Sequence, residues 1–254
     1  LMQGILTSLS GGLTHLGAAW ISWRKVEPLF RAAGRRTPLG LPHLTLEPPP
    51  ASADGEAPVV MSGRGLAYRY AARSRPVLRD AELVVRQGDR ILLEGPSGGG
   101  KSTLASLLVG LREPTAGTLA LHGVDLRSMG LDAWRRRVVL VPQFHDNHVL
   151  TETFAFNLLM GRGWPPDRTG LYDAWQVCHE LGLGELLERM PGGLQQMVGE
   201  TGWQLSHGER SRLYLARALL QDADLLILDE SFAALDPENL QLAMDCARKR
   251  GRTV

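Results

Sequence analysis

The sequence predicts a mixed α/β fold with a parallel β-sheet, and three observations support this prediction. First, a glycine-rich loop stands between a short aliphatic run and a second apolar stretch, which is the order of a strand, a loop and a helix. Second, another aliphatic run ends in two adjacent carboxylates, at the edge where parallel sheets bind ligands. Third, the 254 residues are 44% hydrophobic and 22% charged, so the chain can bury a sizeable core.

The charge and the cysteine content of the chain argue against several classes of protein. The 28 lysines and arginines nearly balance 27 acidic residues, giving a formal net charge of +1, whereas nucleic-acid binders usually carry a basic excess. The two cysteines, Cys178 and Cys246, lie far apart and lack metal-ligand spacing. We therefore expect no nucleic-acid partner, no disulfide scaffold and no zinc module, and a reducing compartment fits best.

Two segments precede the predicted domain. Residues 1–23 carry no charged side chain when His15 is neutral, and Arg24 and Lys25 follow at once. Such a run with tryptophans beside a basic flank is typical of the end of a membrane helix, although an amphipathic soluble helix explains the same residues equally well. The six prolines between residues 34 and 58 indicate a semi-rigid linker.

The glycine-rich loop has the spacing of a phosphate-binding loop. It follows a predicted strand at Ile91–Glu94 and precedes an apolar helix, and glycines in such a loop let consecutive N–H groups face phosphate oxygens. The helix adds its positive end, Lys101 is expected to reach the β- and γ-phosphates, and the Ser102 hydroxyl is expected to ligate Mg²⁺. The predicted loop residues are Gly95, Pro96, Ser97, Gly98, Gly99, Gly100, Lys101, Ser102 and Thr103.

The second aliphatic run, Leu225–Leu228, suits a strand buried on both faces of a parallel sheet. Asp229 follows it and is expected to hold Mg²⁺ through water, and Glu230 is expected to orient the attacking water. On its own the run equally describes an ordinary strand end. Together with Lys101 it favours a nucleotide site.

Five further motifs resemble those of ATP-binding cassette (ABC) ATPases, and they occur in the family's order. The resemblance covers about residues 59–254, and the ordered set is far more specific than any one motif. In chain order the motifs are Tyr70 of the A-loop, Gln143 of the Q-loop, Val198–Gly202 of the exporter X-loop, Leu205–Glu209 of the LSGGQ signature and Ala234–Asp236 of the D-loop.

The resemblance implies a role for each of these residues. Tyr70 would stack on adenine, and Gln143 would ligate the metal and sense the membrane domain. Ser206, Gly208 and Glu209 of the signature would contact the γ-phosphate of an ATP held by a second cassette. Independently of the resemblance, Ser206 is a good helix N-cap, and Gly208 leaves the backbone open to close approach.

Two features depart from the family pattern. His207 and Glu209 replace Gly and Gln of the signature, which adds a side chain and a negative charge beside the expected γ-phosphate. The printed sequence stops at Thr253–Val254, before the position where the family's switch histidine is expected.

The resemblance implies a P-loop NTPase fold of ABC type, with a RecA-like parallel-sheet core, an antiparallel β subdomain and an α-helical signature subdomain at about 144–220. Residues 1–33 are predicted to be the end of the last transmembrane helix with a cytoplasmic extension. Residues 34–58 are the predicted linker, and residues 59–254 are the predicted ATP-binding domain.

The predicted function is ATP binding and hydrolysis by glutamate-assisted attack of water, with Lys101, Gln143 and Glu230 as the catalytic residues and ATP and Mg²⁺ as cofactors. The domain would power export across the cell membrane from the cytoplasmic side, with a second cassette in a homodimer or heterodimer and a transmembrane domain on the same chain. The motif run at 200–205 is similar to that of some bacterial peptide or bacteriocin exporters. The alternatives are a soluble ABC ATPase and a cassette that binds ATP only to regulate a partner.

Overall fold

The computed structural model describes residues 15–27, 56–71, 74–143 and 147–254 of the chain. The chain divides into two compact units, Leu1–Leu39 and Gly40–Val254. In the first unit, residues 15–27 form a helix (α1) whose side chains are almost all exposed. Among the described residues, no helix has both the length and the apolar character needed to cross a bilayer. The predictions for residues 1–14, and for the linker up to residue 55, lie outside the described residues.

In the second unit, the described residues form both strands and helices, as a mixed α/β fold requires. The strands are β1 (Val59–Tyr68), β2 (Leu78–Arg86), β3 (Ala116–Leu121), β4 (Val124–Asp125), β5 (Val138–Val141) and β6 (Leu225–Leu228). The helices are α2 (Lys101–Leu108), α3 (Leu126–Met129), α4 (Leu131–Arg135), α5 (Phe154–Leu159), α6 (Arg168–Glu180), α7 (Gly184–Arg189), α8 (His207–Leu219) and α9 (Pro237–Arg250).

The first sheet is antiparallel, in the order β2-β1-β3-β4. Its central strand β1 buries Met61 and Leu66 completely, and these side chains join a core that α2 and α4 complete. Trp134 of α4 is fully buried there, and its indole N–H donates to the backbone oxygen of Leu108 at 2.7 Å. That bond matters because a buried indole N–H without an acceptor would be costly. The antiparallel subdomain is thus packed against the helix that follows the phosphate loop.

The second sheet is the parallel pair β5–β6, which runs in register from Val138 opposite Leu225 to Val141 opposite Leu228. The predicted strand at Leu225–Leu228 is therefore confirmed. Since parallel strands end at the same edge of a sheet, the residues that follow β5 and β6 lie next to each other.

The strand predicted at Ile91–Glu94 is wrong. These residues lie outside every assigned strand, and 80% of the Leu92 side chain is exposed. The Ile91 N–H donates to the oxygen of Val254 at 2.8 Å, and the Val254 N–H donates to the oxygen of Asp89 at 3.0 Å. A strand needs a neighbouring backbone along its whole length, and here the adjacent backbone reaches only the first residue of the run.

Helices α5 to α8 form a third group, whose core they share with β5, β6 and α9. Phe154 and Leu158 of α5, Val177 of α6 and Leu213 of α8 are all fully buried in it. The helices begin where the sequence offers side-chain caps: the Thr153 hydroxyl accepts from a backbone N–H at the start of α5. This is the α-helical subdomain that carries the signature segment.

Candidate nucleotide site

The phosphate loop runs from Gly95 into α2. The N-terminus of α2 has no side-chain cap and no acidic residue in its first turn, so no side chain of the helix occupies its first N–H groups. Gly100, at the N-cap, has a φ of 94°, a region that favours glycine. The Lys101 ammonium donates to the backbone oxygens of Gly95 at 2.9 Å and Pro96 at 3.1 Å, so it lies over the loop itself. The arrangement is one that can cradle a phosphate group.

The remaining residues of the loop differ in exposure. Ser102, the predicted metal ligand, is exposed, whereas Thr103 is buried. Pro96, Ser97, Gly98 and Gly99 form the exposed turn before the helix, and the Gly99 N–H donates to the Pro96 oxygen at 3.0 Å. The predicted metal ligand is therefore accessible to solvent.

Tyr70, the predicted adenine-stacking residue, lies beside the phosphate loop. Its hydroxyl is 3.1 Å from the Thr103 hydroxyl. The Tyr68 ring packs edge-on against it at 5.1 Å, and the Arg112 guanidinium lies 4.8 Å from the centre of the Tyr70 ring. Arg112 was not anticipated from the sequence, because no motif spacing links it to a tyrosine 42 residues earlier.

Gln143 and Glu230 meet at the carboxyl ends of the parallel strands. The Gln143 side-chain nitrogen donates to a Glu230 carboxylate oxygen at 3.1 Å. The Asp229 N–H donates to the Val141 oxygen at 3.0 Å, and the buried Ser231 hydroxyl donates to the same oxygen at 2.8 Å. Sequence reasoning missed Ser231, which ties the segment after β6 to β5.

Glu230 has a left-handed backbone, with a φ of 49°. Non-glycine residues adopt this conformation uncommonly, and such strain concentrates at functional sites. The conformation holds because Asp229 and Ser231, on either side, are both bonded to β5. The carboxylate of Glu230 is therefore presented by a tethered backbone.

The signature segment begins α8 at His207. Ser206 is the N-cap, as predicted: its hydroxyl accepts from the Glu209 N–H at 3.2 Å, and the Glu209 carboxylate accepts from the Ser206 N–H at 2.7 Å. This reciprocal capping box fixes the first turn. A Cβ on Gly208 would meet only the Ala234 oxygen, at 3.7 Å, so packing within the chain does not require glycine there.

The Glu209 carboxylate also accepts from Arg189 of α7, with 2.5 Å between Nη2 and Oε1. Burial alone would raise the pKa of Glu209, but the hydrogen bonds from Ser206 and Arg189 outweigh it and the pKa is lowered. The negative charge expected beside the γ-phosphate is thus present. However, the Glu209 carboxylate that carries it is bonded to the Ser206 N–H and paired with Arg189. Nothing in the sequence spacing links Arg189 to the signature.

The phosphate loop, the paired strand ends and the mixed α/β topology together define a P-loop nucleotide-binding domain. Residues 78–233 match the family described as ABC transporter. The chain belongs to the ABC transporter family, and its exporter-type cassette fold, predicted above, is confirmed by the relatives described next.

Two curated relatives and one solved structure illustrate the similarity. The chain is 37% identical over 216 residues to an ATP-dependent lipid A-core flippase of Chromohalobacter salexigens, covering 82% of this chain and 36% of that protein. It is 39% identical over 176 residues to the flippase of the same name from Burkholderia orbicola, covering 69% of this chain and 28% of that protein. A bacterial Atm1-family ABC exporter with ATP bound superposes with a TM-score of 0.67 and 28% identity, over 77% of this chain and 34% of that chain. The chain thus spans about a third of the length of the curated relatives it matches.

Proposed function

We propose that the chain is the ATP-binding and ATP-hydrolysing domain of an ABC exporter, and that ATP drives two such cassettes together head to tail. The observation that carries the proposal is that one chain has two separate places whose backbone suits an anion. One is the phosphate loop with Lys101, and the other is the N-terminus of α8, which has no lysine in its first turn. Two copies facing each other would each complete the other's site.

Nucleotide binding would use the residues around α2. The triphosphate would lie on the loop N–H groups and on the start of α2, displacing the Lys101 ammonium from the oxygens of Gly95 and Pro96. Tyr70 would stack on adenine, since its ring already lies against the end of the loop through Thr103.

Mg²⁺ fits the donors that the chain offers. Ser102 supplies a hydroxyl, Gln143 an amide oxygen and Asp229 a carboxylate, and oxygen donors are those that Mg²⁺ prefers. Because the Gln143 nitrogen donates to Glu230, the amide oxygen of Gln143 is the atom left to ligate the metal. When bound, Mg²⁺ would neutralise charge on the β- and γ-phosphates.

Glu230 would accept a proton from the water that attacks the γ-phosphate in line. Its backbone is fixed on both sides by bonds to β5, so the carboxylate is held in place. Gln143 would orient that carboxylate through the 3.1 Å hydrogen bond. Hydrolysis would remove the γ-phosphate that joins the two cassettes, so the pair could reopen.

For the whole protein, we propose a transmembrane domain on the same chain and a cytoplasmic position for the cassette. The relatives are lipid A-core flippases, and their names favour a lipid as the exported substrate over the peptide or bacteriocin suggested by the run at 200–205.

The proposal is tested by light scattering on the 254-residue chain carrying Glu230→Gln, with and without Mg-ATP. The expected result is a monomer alone and a dimer with Mg-ATP, because the substitution preserves binding and blocks the step that separates the cassettes. The same chain with Lys101→Ala added should stay monomeric. A monomer that binds Mg-ATP would contradict association of this cassette with itself.

A further inference from the structure

Arg189 and Glu209 form an ion pair beside the N-terminus of α8. Arg189 is the last residue of α7, and its side chain is 60% exposed, whereas that of Glu209 is 11% exposed. One Glu209 oxygen accepts from Arg189 at 2.5 Å, and the other accepts from the Ser206 N–H at 2.7 Å. Each Glu209 oxygen therefore has its own hydrogen-bond donor, one on α7 and the other at the N-cap of α8.

A carboxylate in the first turn of a helix has two opposed effects at an anion site. It is favourable for the helix itself, because the N-terminal end of the helix is positive. It is unfavourable for a phosphate bound at the same end, because like charges a few ångströms apart repel. An arginine on the carboxylate reduces the net negative charge that a phosphate would meet, while the hydrogen bond from the Ser206 N–H to Glu209 still caps the helix.

We infer that Arg189 is a positioning residue of the signature segment: by holding and neutralising Glu209, it keeps the N-terminus of α8 a site for the γ-phosphate of an ATP bound to a second cassette. The guanidinium draws the carboxylate toward α7. The first N–H groups of α8, at His207 and Gly208, then carry the positive end of the helix dipole without an uncompensated negative charge beside them.

This inference rests on the proposed function. It applies only because this chain carries a glutamate, Glu209, in the signature. A chain with an uncharged side chain at position 209 would have no charge to compensate. The role of Arg189 therefore depends on Glu209, whereas a purely structural role of Arg189 in α7 would not. That difference makes the inference testable by a double-mutant cycle.

The experiment measures the dissociation constant of the Mg-ATP dimer by analytical ultracentrifugation, in the 254-residue chain with Glu230→Gln. Four chains are compared: the parent, Arg189→Ala, Glu209→Gln, and the double variant. Arg189→Lys keeps the positive charge and tests whether that charge alone restores the dimer. Arg168→Ala, which removes an exposed arginine at the start of α6, is the matched control. Thermal melting of each chain confirms that it is folded.

We expect Arg189→Ala to weaken the dimer about fivefold at low salt, the size expected for one charge at a helix terminus, and less at high salt. In the Glu209→Gln chain the same substitution should change the constant by less than about twofold. Arg189→Lys should recover most of the loss, and Arg168→Ala should behave as the parent.

The failures are distinguishable. If the parent does not dimerise with Mg-ATP, the proposed function is overturned and the inference falls with it. If the parent dimerises but Arg189→Ala behaves as Arg168→Ala, the inference alone is overturned. The inference is also overturned if Arg189→Ala weakens the dimer equally in the parent and in the Glu209→Gln chain. The arginine would then act on folding or packing rather than on the charge of Glu209.

Discussion

The side chain of Gln143 donates to the carboxylate of Glu230 across 3.1 Å, although 87 residues separate them in the chain. The contact follows from the parallel register of β5 and β6, which brings the residues after both strands to one edge. Glu230 receives this bond with a left-handed backbone that β5 holds through its neighbours. The proposed general base and the proposed metal ligand Gln143 are thus joined by a hydrogen bond.

Glu230→Gln should bind ATP but hydrolyse it at least about 100-fold more slowly, since general-base catalysis contributes about that much or more. The amide is nearly isosteric with the carboxylate but accepts no proton. Phosphate release and equilibrium ATP binding measure the two effects separately. Glu238→Gln, at an exposed carboxylate in the first turn of α9, should leave turnover unchanged. Near-normal turnover in Glu230→Gln would exclude it as the base.

Lys101→Ala should weaken ATP binding by about 10- to 100-fold, the range for losing one or two charge-assisted hydrogen bonds. The Lys101 ammonium lies on two carbonyl oxygens of the loop and would move from them to the oxygens of an arriving triphosphate. Isothermal titration with Mg-ATP measures the change. Arg127→Ala, an exposed cation on α3, is the control for general loss of positive charge. Unchanged affinity in Lys101→Ala would place the triphosphate elsewhere.

The parts of the site that sequence reasoning predicted are those encoded by consecutive residues. Ser206 as an N-cap needs only the local pattern, and so does the aliphatic strand at Leu225–Leu228. The strand at Ile91–Glu94 failed because strand formation also needs a neighbouring backbone, which no local pattern reports. A short aliphatic run therefore does not by itself predict a strand, because the run must also have a neighbouring backbone to pair with.

Contacts between distant segments could not be predicted in the same way. Arg189 reaches Glu209 from the end of a different helix, and neither residue has a spacing that marks the pair. Arg112 lies over the Tyr70 ring although 42 residues separate them in the chain, a consequence of packing rather than of a motif. The roles that a family resemblance assigns to Tyr70 and Glu209 omit these partners, so the charges around both residues emerge only from the fold.

Tyr70→Ala should weaken ATP binding about tenfold, since stacking of a base on an aromatic ring is worth roughly 1–3 kcal/mol. Tyr70→Phe keeps the ring and loses only the hydroxyl contact to Thr103, so its affinity should stay close to that of the parent. Titration with Mg-ATP and with Mg²⁺-tripolyphosphate separates the two parts of the ligand. If Tyr70→Phe binds as weakly as Tyr70→Ala, the hydroxyl contact rather than stacking is responsible.

Glu180 joins the helical subdomain to α9, and this link should make the stability of the domain depend on pH. From α6, its carboxylate accepts from Lys249 at 3.1 Å and from the Arg250 guanidinium at 2.9 Å. The bond from Arg250 is the largest influence, and together with Lys249 it outweighs burial and lowers the pKa of Glu180 from 4.5 to about 2. Because the folded state binds the proton more weakly than the unfolded state, the stabilisation is complete above about pH 4.5 and is lost as the pH falls toward 2.

Glu180→Gln should therefore lower the free energy of unfolding at neutral pH by about 1 kcal/mol, a value kept small because solvent screens the half-exposed pairs. The difference from the parent should shrink steadily below about pH 4.5, because the Glu180 carboxylate of the unfolded parent takes up a proton there while that of the folded parent stays charged until about pH 2. Urea denaturation at a series of pH values measures both effects. Glu188→Gln, at an exposed carboxylate on α7, should show neither. A deficit in Glu180→Gln that stays constant down to about pH 3 would mean that the side chain stabilises the domain by packing, since only a charged pair loses its contribution when the carboxylate takes up a proton.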